Sequence, residues 1–128
     1  MKQVIIINEH PQTGHRLQSY LHDNLPPAYD LLLISAVELQ SGLSNFRPAV
    51  IILDTAVNRT RWQEMSRELQ AYYPNAMILI ITNRNSILTE NWTGMPYIHG
   101  VIDKTMELDK LCSIIVQSEI NFQNNTLD

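Results

Sequence analysis

Four short runs, Val4–Ile7, Leu31–Ile34, Val50–Leu53 and Met77–Ile81, consist of Ile, Leu, Val and Met with no polar residue in alternation. A strand with one wet face alternates apolar and polar side chains. Unbroken runs of this length are therefore expected to be buried on both faces, as in a parallel sheet covered by helices on each side. Gly100–Asp103 is a weaker fifth run. The intervening segments carry apolar residues at helical spacing. Leu17, Tyr20, Leu21 and Leu25 form one stripe, ended by Pro26-Pro27. Trp62, Met65, Leu69 and Tyr72 or Tyr73 form a second, ended before Pro74, and Leu108, Leu111, Cys112, Ile115, Val116 and Ile120 form a third. Val37–Phe46 is a shorter helix candidate, closed by Arg47-Pro48. The segment Asn83–Pro96, with Asn83, Asn85, Asn91, Gly94 and Pro96, predicts only a degenerate fourth helix or a loop.

Strand and helix alternating in this way predict an α/β fold: a five-stranded parallel sheet, doubly wound, with right-handed crossovers and strand order 2-1-3-4-5. The length of 128 residues fits one domain over residues 1–120, with 121–128, rich in Asn and Gln, as the start of a linker. Nine basic residues against thirteen acidic ones leave a net charge of −4, with a pI near 5.5. That balance argues against this chain gripping a nucleic-acid backbone by itself, because such affinity needs clustered Lys and Arg. A single cysteine, Cys112, excludes an internal disulfide and fits a reducing compartment. No apolar run reaches the roughly 20 residues that span a bilayer, and Val4–Ile7 is too short for a signal peptide. A cytoplasmic domain with no membrane partner is expected.

In such sheets the functional crevice lies beyond the carboxyl ends of the strands. Those ends hold Asn8 and Glu9, then Ser35, Asp54, Thr82 and Lys104. Carboxylates suit a hard cation such as Mg²⁺, which takes oxygen ligands, while a hydroxyl and an ammonium can hold phosphoryl oxygens. The set suits an aspartate that attacks a phosphoryl donor.

The order and spacing of Glu9, Asp54, Thr82 and Lys104 resemble the CheY-like receiver domains of two-component response regulators, over about residues 2–120. Asn8-Glu9-His10-Pro11, Arg47-Pro48 leading into Val50–Asp54, and Tyr73-Pro74 before the fourth strand resemble the NarL/LuxR-type transcriptional regulators. The resemblance implies Asp54 as phosphoacceptor, with Thr82 and Lys104 on the phosphoryl oxygens. It also implies Mg²⁺ held by Glu9, Asp54 and the Ala56 carbonyl, with Asn8 reaching it through a water. The implied partners are a histidine kinase or small phosphodonor and a second copy of the chain. DNA would be reached only through a C-terminal helix-turn-helix domain absent from this sequence, the chain being a receiver cut from its output domain.

The departures point to an atypical receiver. Asn8 stands where the first acid of the pair is usual, which weakens the metal site by one charge. Asn58 and Trp62 replace the usual Pro and Gly after the acceptor, Asn83 replaces a small residue, and Val101 stands at the mobile aromatic position. Lys104-Thr105 replaces Lys-Pro. Glu90-Asn91-Trp92 and Ile98-His99-Gly100-Val101 resemble the curli and biofilm master regulators, but Ile120-Asn121-Phe122-Gln123 lacks the Trp and Arg of their cyclic di-GMP motif. The alternative is thus a phosphorylation-independent pseudo-receiver that dimerises or senses another ligand. An enzyme is not expected: the chain has no Gly-rich phosphate loop and no Ser-His-Asp or Cys-His arrangement. The four histidines, at 10, 15, 22 and 99, show no metal-ligand spacing with Cys112 or each other, and Cys112 reads as a core thiol.

Overall fold

A computed structural model describes residues 2–8, 11–35, 46–54, 59–82, 99–103 and 108–126. Along the chain these form β1 (Lys2–Asn8), α1 (Pro11–Asn24), β2 (Tyr29–Ser35), β3 (Pro48–Asp54), α2 (Arg59–Tyr72), β4 (Met77–Thr82), β5 (Gly100–Asp103) and α3 (Leu108–Thr126). The strands pair in parallel in the order β2-β1-β3-β4-β5, as the alternation of runs and stripes predicts.

Each apolar run feeds two cores because successive side chains on a strand point to opposite faces. Ile5, Ile7, Ile51, Leu53, Ile78 and Ile80 meet Leu69 of α2 and the partly buried Met65 on one face. Val4, Ile6, Val50, Ile52, Met77, Leu79 and Ile81 meet Leu21 of α1 and Cys112 and Ile115 of α3 on the other. This two-sided burial is why the runs show no polar alternation. Each fully buried Ile or Leu contributes roughly 1.5–3 kcal/mol relative to exposure.

The helices stop where proline chemistry demands it. After Asn24, the Leu25 amide still donates to the Leu21 carbonyl at 2.8 Å, and the Asn24 side chain donates to the Tyr20 carbonyl at 2.8 Å, before Pro26. The Tyr73 amide donates to the Leu69 carbonyl at 2.7 Å, and Pro74 then prevents another turn. The β1–β3 register shifts between the Gln3↔Pro48 and Val4↔Val50 pairs, leaving Ala49 extra at the entry to β3.

Two expectations need correction. Ile120, placed on the core stripe by spacing, is 42% exposed, whereas Glu119 is fully buried. A helix turns about 100° per residue. Glu119 therefore lies about 20° from Cys112 in projection and Ile120 about 80° from it, on the far side from Ile115. Residues 121–126, expected to open a linker, continue α3, and Phe122 packs on the second core. Of the candidate helix Val37–Phe46 only Phe46 is described, in coil and packed against the first core, and the degenerate segment Asn83–Pro96 lies outside the described residues. Ile114, one residue off the stripe, also packs on the second core.

Candidate functional site at the strand ends

Parallel pairing brings the predicted chemistry together at the backbone level. Asn8 closes β1 directly opposite Asp54, which closes β3, and on its other side Asn8 is paired with Ser35 of β2. Asp54 is paired with Ile81, so Thr82 reaches one residue further along the same edge, where it is paired with Asp103 of β5. One edge of the sheet thus gathers an amide, two carboxylate-bearing positions and a hydroxyl within neighbouring strands. Glu9 follows Asn8 and Lys104 follows Asp103 in sequence. Glu9, Ala56 and Lys104 themselves lie outside the described residues.

Asp103 was not among the expected site residues. Its signal was available, since a strand over Gly100–Asp103 that ends on an acid must set that acid beside the end of β4. Among the described residues no group of three His, Cys, Asp or Glu side chains is placed to hold a metal ion. The donor set proposed for Mg²⁺ draws on Glu9 and Ala56. Its chemistry, carboxylate and carbonyl oxygens, is that of a hard-cation site.

The amino ends of the strands carry a different set of polar contacts, none of which was anticipated. Lys2, the first residue of β1, places Nζ 2.7 Å from Oε1 of the buried Glu119 and 5.8 Å from the centre of the Tyr29 ring. The hydrogen bond to Glu119 holds the Lys2 ammonium above its usual pKa against the opposing effect of burial. Burial also pushes the Tyr29 phenol up, with Glu119 adding to the shift. Just before β5, the His99 amide donates to the Ile78 carbonyl at 2.9 Å, while the Ile78 amide donates to His99 Nδ1 at 2.9 Å. Because Nδ1 accepts, the neutral ring carries its proton on Nε2, and desolvation draws its pKa down. The ring also meets Phe122 edge-on, with centroids 4.6 Å apart. Cys112 is buried and its thiol pKa is raised by burial, the state of an inert core thiol. Among the described residues no helix is long and apolar enough to cross a membrane.

No protein-family model matches the chain, and no curated protein matches it in sequence. Solved structures do match. A pilus assembly-related protein from Burkholderia pseudomallei superposes with a TM-score of 0.75 at 17% identity, covering 94% of this chain and 90% of that one. A LuxR family DNA-binding response regulator from Silicibacter pomeroyi gives 0.73 at 14% identity, covering 94% and 93%. The isolated receiver domain of the RcsB regulator from Salmonella enterica serovar Typhimurium, solved with a phosphomimetic, gives 0.69 at 15% identity, covering 94% and 97%. The chain has the receiver fold. At these identities the likeness is one of architecture. In another RcsB structure, from Salmonella typhimurium, the present chain spans 60% of the regulator's length.

Proposed function

We propose that this receiver fold is the regulatory domain of a LuxR/NarL-type transcriptional regulator, and that Asp54 is its phosphoacceptor. The observation that carries the reading is the register: Asp54 ends the central β3 beside Asn8, with Thr82 one step beyond it on β4. A carboxylate oxygen of Asp54 attacks the phosphorus of a phosphohistidine or of a small acyl phosphate. The bond from phosphorus to the donor breaks, its electron pair leaves with the donor, and an aspartyl phosphate remains. The Thr82 hydroxyl donates to one phosphoryl oxygen and the Lys104 ammonium pairs with another. Glu9, Asp54 and the Ala56 carbonyl would hold Mg²⁺, Asn8 through a water, and that ion supplies neutralising charge to the phosphoryl group. The new charge shifts a two-state surface, a second copy docks, and an attached helix-turn-helix domain binds DNA as a dimer.

The test is incubation with Mg²⁺ and acetyl phosphate, or with beryllium fluoride, followed by intact mass and native size. Acetyl phosphate should give one phosphoryl adduct that is absent in Asp54→Asn, and either reagent should raise the dimer fraction. One feature favours a second reading, a pseudo-receiver: the position paired with Asp54 is the amide Asn8 rather than a carboxylate. Absence of an adduct, together with a dimer fraction that ignores Mg²⁺ and phosphodonor, would select that reading. Restoring the acid with Asn8→Asp and regaining the adduct would assign the loss to the metal site.

A further inference from the structure

The edge of the sheet opposite Asp54 holds a cleft of about 390 Å³, between the entry to β3 and the turn before β4. Its walls are Phe46, Arg47, Pro48, Tyr72, Tyr73 and Pro74. Two X-Pro steps, Arg47-Pro48 and Tyr73-Pro74, build it. Each proline fixes its own φ, restrains the residue before it and removes an amide donor, so the walls are stiff and poor in backbone donors. Tyr72 and Tyr73 meet edge-on with centroids 4.9 Å apart. The Tyr73 side chain is buried and forms a floor, while Tyr72 is 48% exposed. Tyr72 is the most exposed large apolar side chain among the described residues.

Arg47 supplies the one formal charge among the described residues that line the cleft. It is exposed, and no carboxylate pairs with it among those residues. Its backbone amide donates to Oε1 of Gln3 at 2.9 Å, which anchors the residue at the rim. A guanidinium with no carboxylate partner among the described residues, at a rim of aromatic and proline rings, is complementary to an anion with a flat apolar body. The volume lies at the small end of the roughly 300–1,000 Å³ usual for ligand pockets, enough for one ring and its acid group and too small for a helix.

We propose that this cleft binds an aromatic ring bearing a carboxylate, with the ring against Tyr72 and Phe46 and the carboxylate on the Arg47 guanidinium. The site is independent of phosphorylation at Asp54, which lies at the other end of β3. The probe is phenylacetate, titrated into the ¹⁵N-labelled chain and followed by amide chemical shifts. Saturable shifts are expected at residues 46–49 and 72–76, with a Kd of about 1 mM for so small a ligand. Phenylacetamide, phenethylamine and the Arg47→Gln variant should each weaken binding about tenfold or more. Tyr72→Ala should weaken it several-fold, with an unchanged melting curve because both side chains are exposed. A tripeptide ending in a free phenylalanine carboxylate separates the sources of the ligand. Tighter binding than phenylacetate points to a protein carboxyl terminus, weaker binding to a free aromatic acid. The absence of saturable shifts in this segment, or equal binding of the acid and its amide, would overturn the proposal.

Discussion

At the carboxyl ends of its strands the sheet lines up Asn8, Asp54, Thr82 and Asp103, whereas at the amino ends it ties Lys2 to Glu119 and His99 to Ile78 and Phe122. The first group is brought together by backbone register. The second is held by side-chain contacts between elements far apart in sequence. Contacts that fasten α3 to the sheet thus sit away from the residues proposed to react. Substitutions at the reactive edge should therefore alter function with little change in folding, and substitutions at the other edge should do the reverse.

The sharpest break between the edges is Asp54→Asn. Intact mass after acetyl phosphate should show the adduct lost entirely, while the urea midpoint moves less than in any amino-edge variant. Next in size is Lys2→Met. It leaves the fully buried Glu119 carboxylate without a cation, and Oε2 already has no hydrogen-bond partner among the described residues. Stranding one member of a buried pair costs 3–5 kcal/mol, which the half-exposed Lys2 reduces here to about 2 kcal/mol. Glu119→Leu should cost much less, because Lys2 can turn to water, and the double variant should recover most of the loss. Urea unfolding of the parent and the three variants closes that cycle. Equal losses from the two single variants would show that the pair is not asymmetric in the way its burial implies.

His99 gives a smaller effect with a defined pH dependence. Because burial lowers its pKa in the folded chain, the unfolded chain binds the proton more readily. The stabilisation is fully present above the ordinary value of 6.5 and falls as pH drops below it, flattening once the folded histidine also titrates. His99→Ala should cost about 1 kcal/mol at pH 8, from the orphaned Ile78 amide. It should also flatten the melting profile between pH 6.5 and pH 5 relative to the parent. The smallest effect is expected for Ile120→Ser, within about 0.5 kcal/mol in urea, since the side chain is exposed. A loss as large as that of Lys2→Met would return Ile120 to the core.

Much of the architecture was legible because the forces that set it are local and periodic. Unbroken runs such as Ile5-Ile6-Ile7 can be satisfied only by cover on both faces, and both cores are observed. The neighbour relation of Asn8 and Asp54 was also legible, since each directly follows the apolar run of its strand and the runs Val4–Ile7 and Val50–Leu53 pair residue for residue. Glu119 was passed over because apolar residues alone were counted along α3, although helical phase puts position 119 near the centre of the stripe. The reach of α3 to Thr126 was missed for a related reason. Asn and Gln have modest helix propensity, but Phe122 is anchored by the second core and His99, and Gln117 donates to Asn121 at 3.2 Å. The ties at the amino edge had no local signature, because Lys2 and Glu119 meet only once the whole sheet has formed.

The Lys2–Glu119 tie also joins the first strand of the sheet to a helix made much later in the chain. β1 leaves the ribosome before its flanks β2 and β3, and all three precede α3, so a three-stranded sheet can pair while α3 is still being made. The face that carries Val4, Ile6 and Val50 then waits for Cys112 and Ile115 as cover. Until α3 docks, Leu21 of α1 covers only part of that face, and the remainder is an apolar surface of the kind chaperones hold. The closing step brings the first residue of β1 against a late turn of α3.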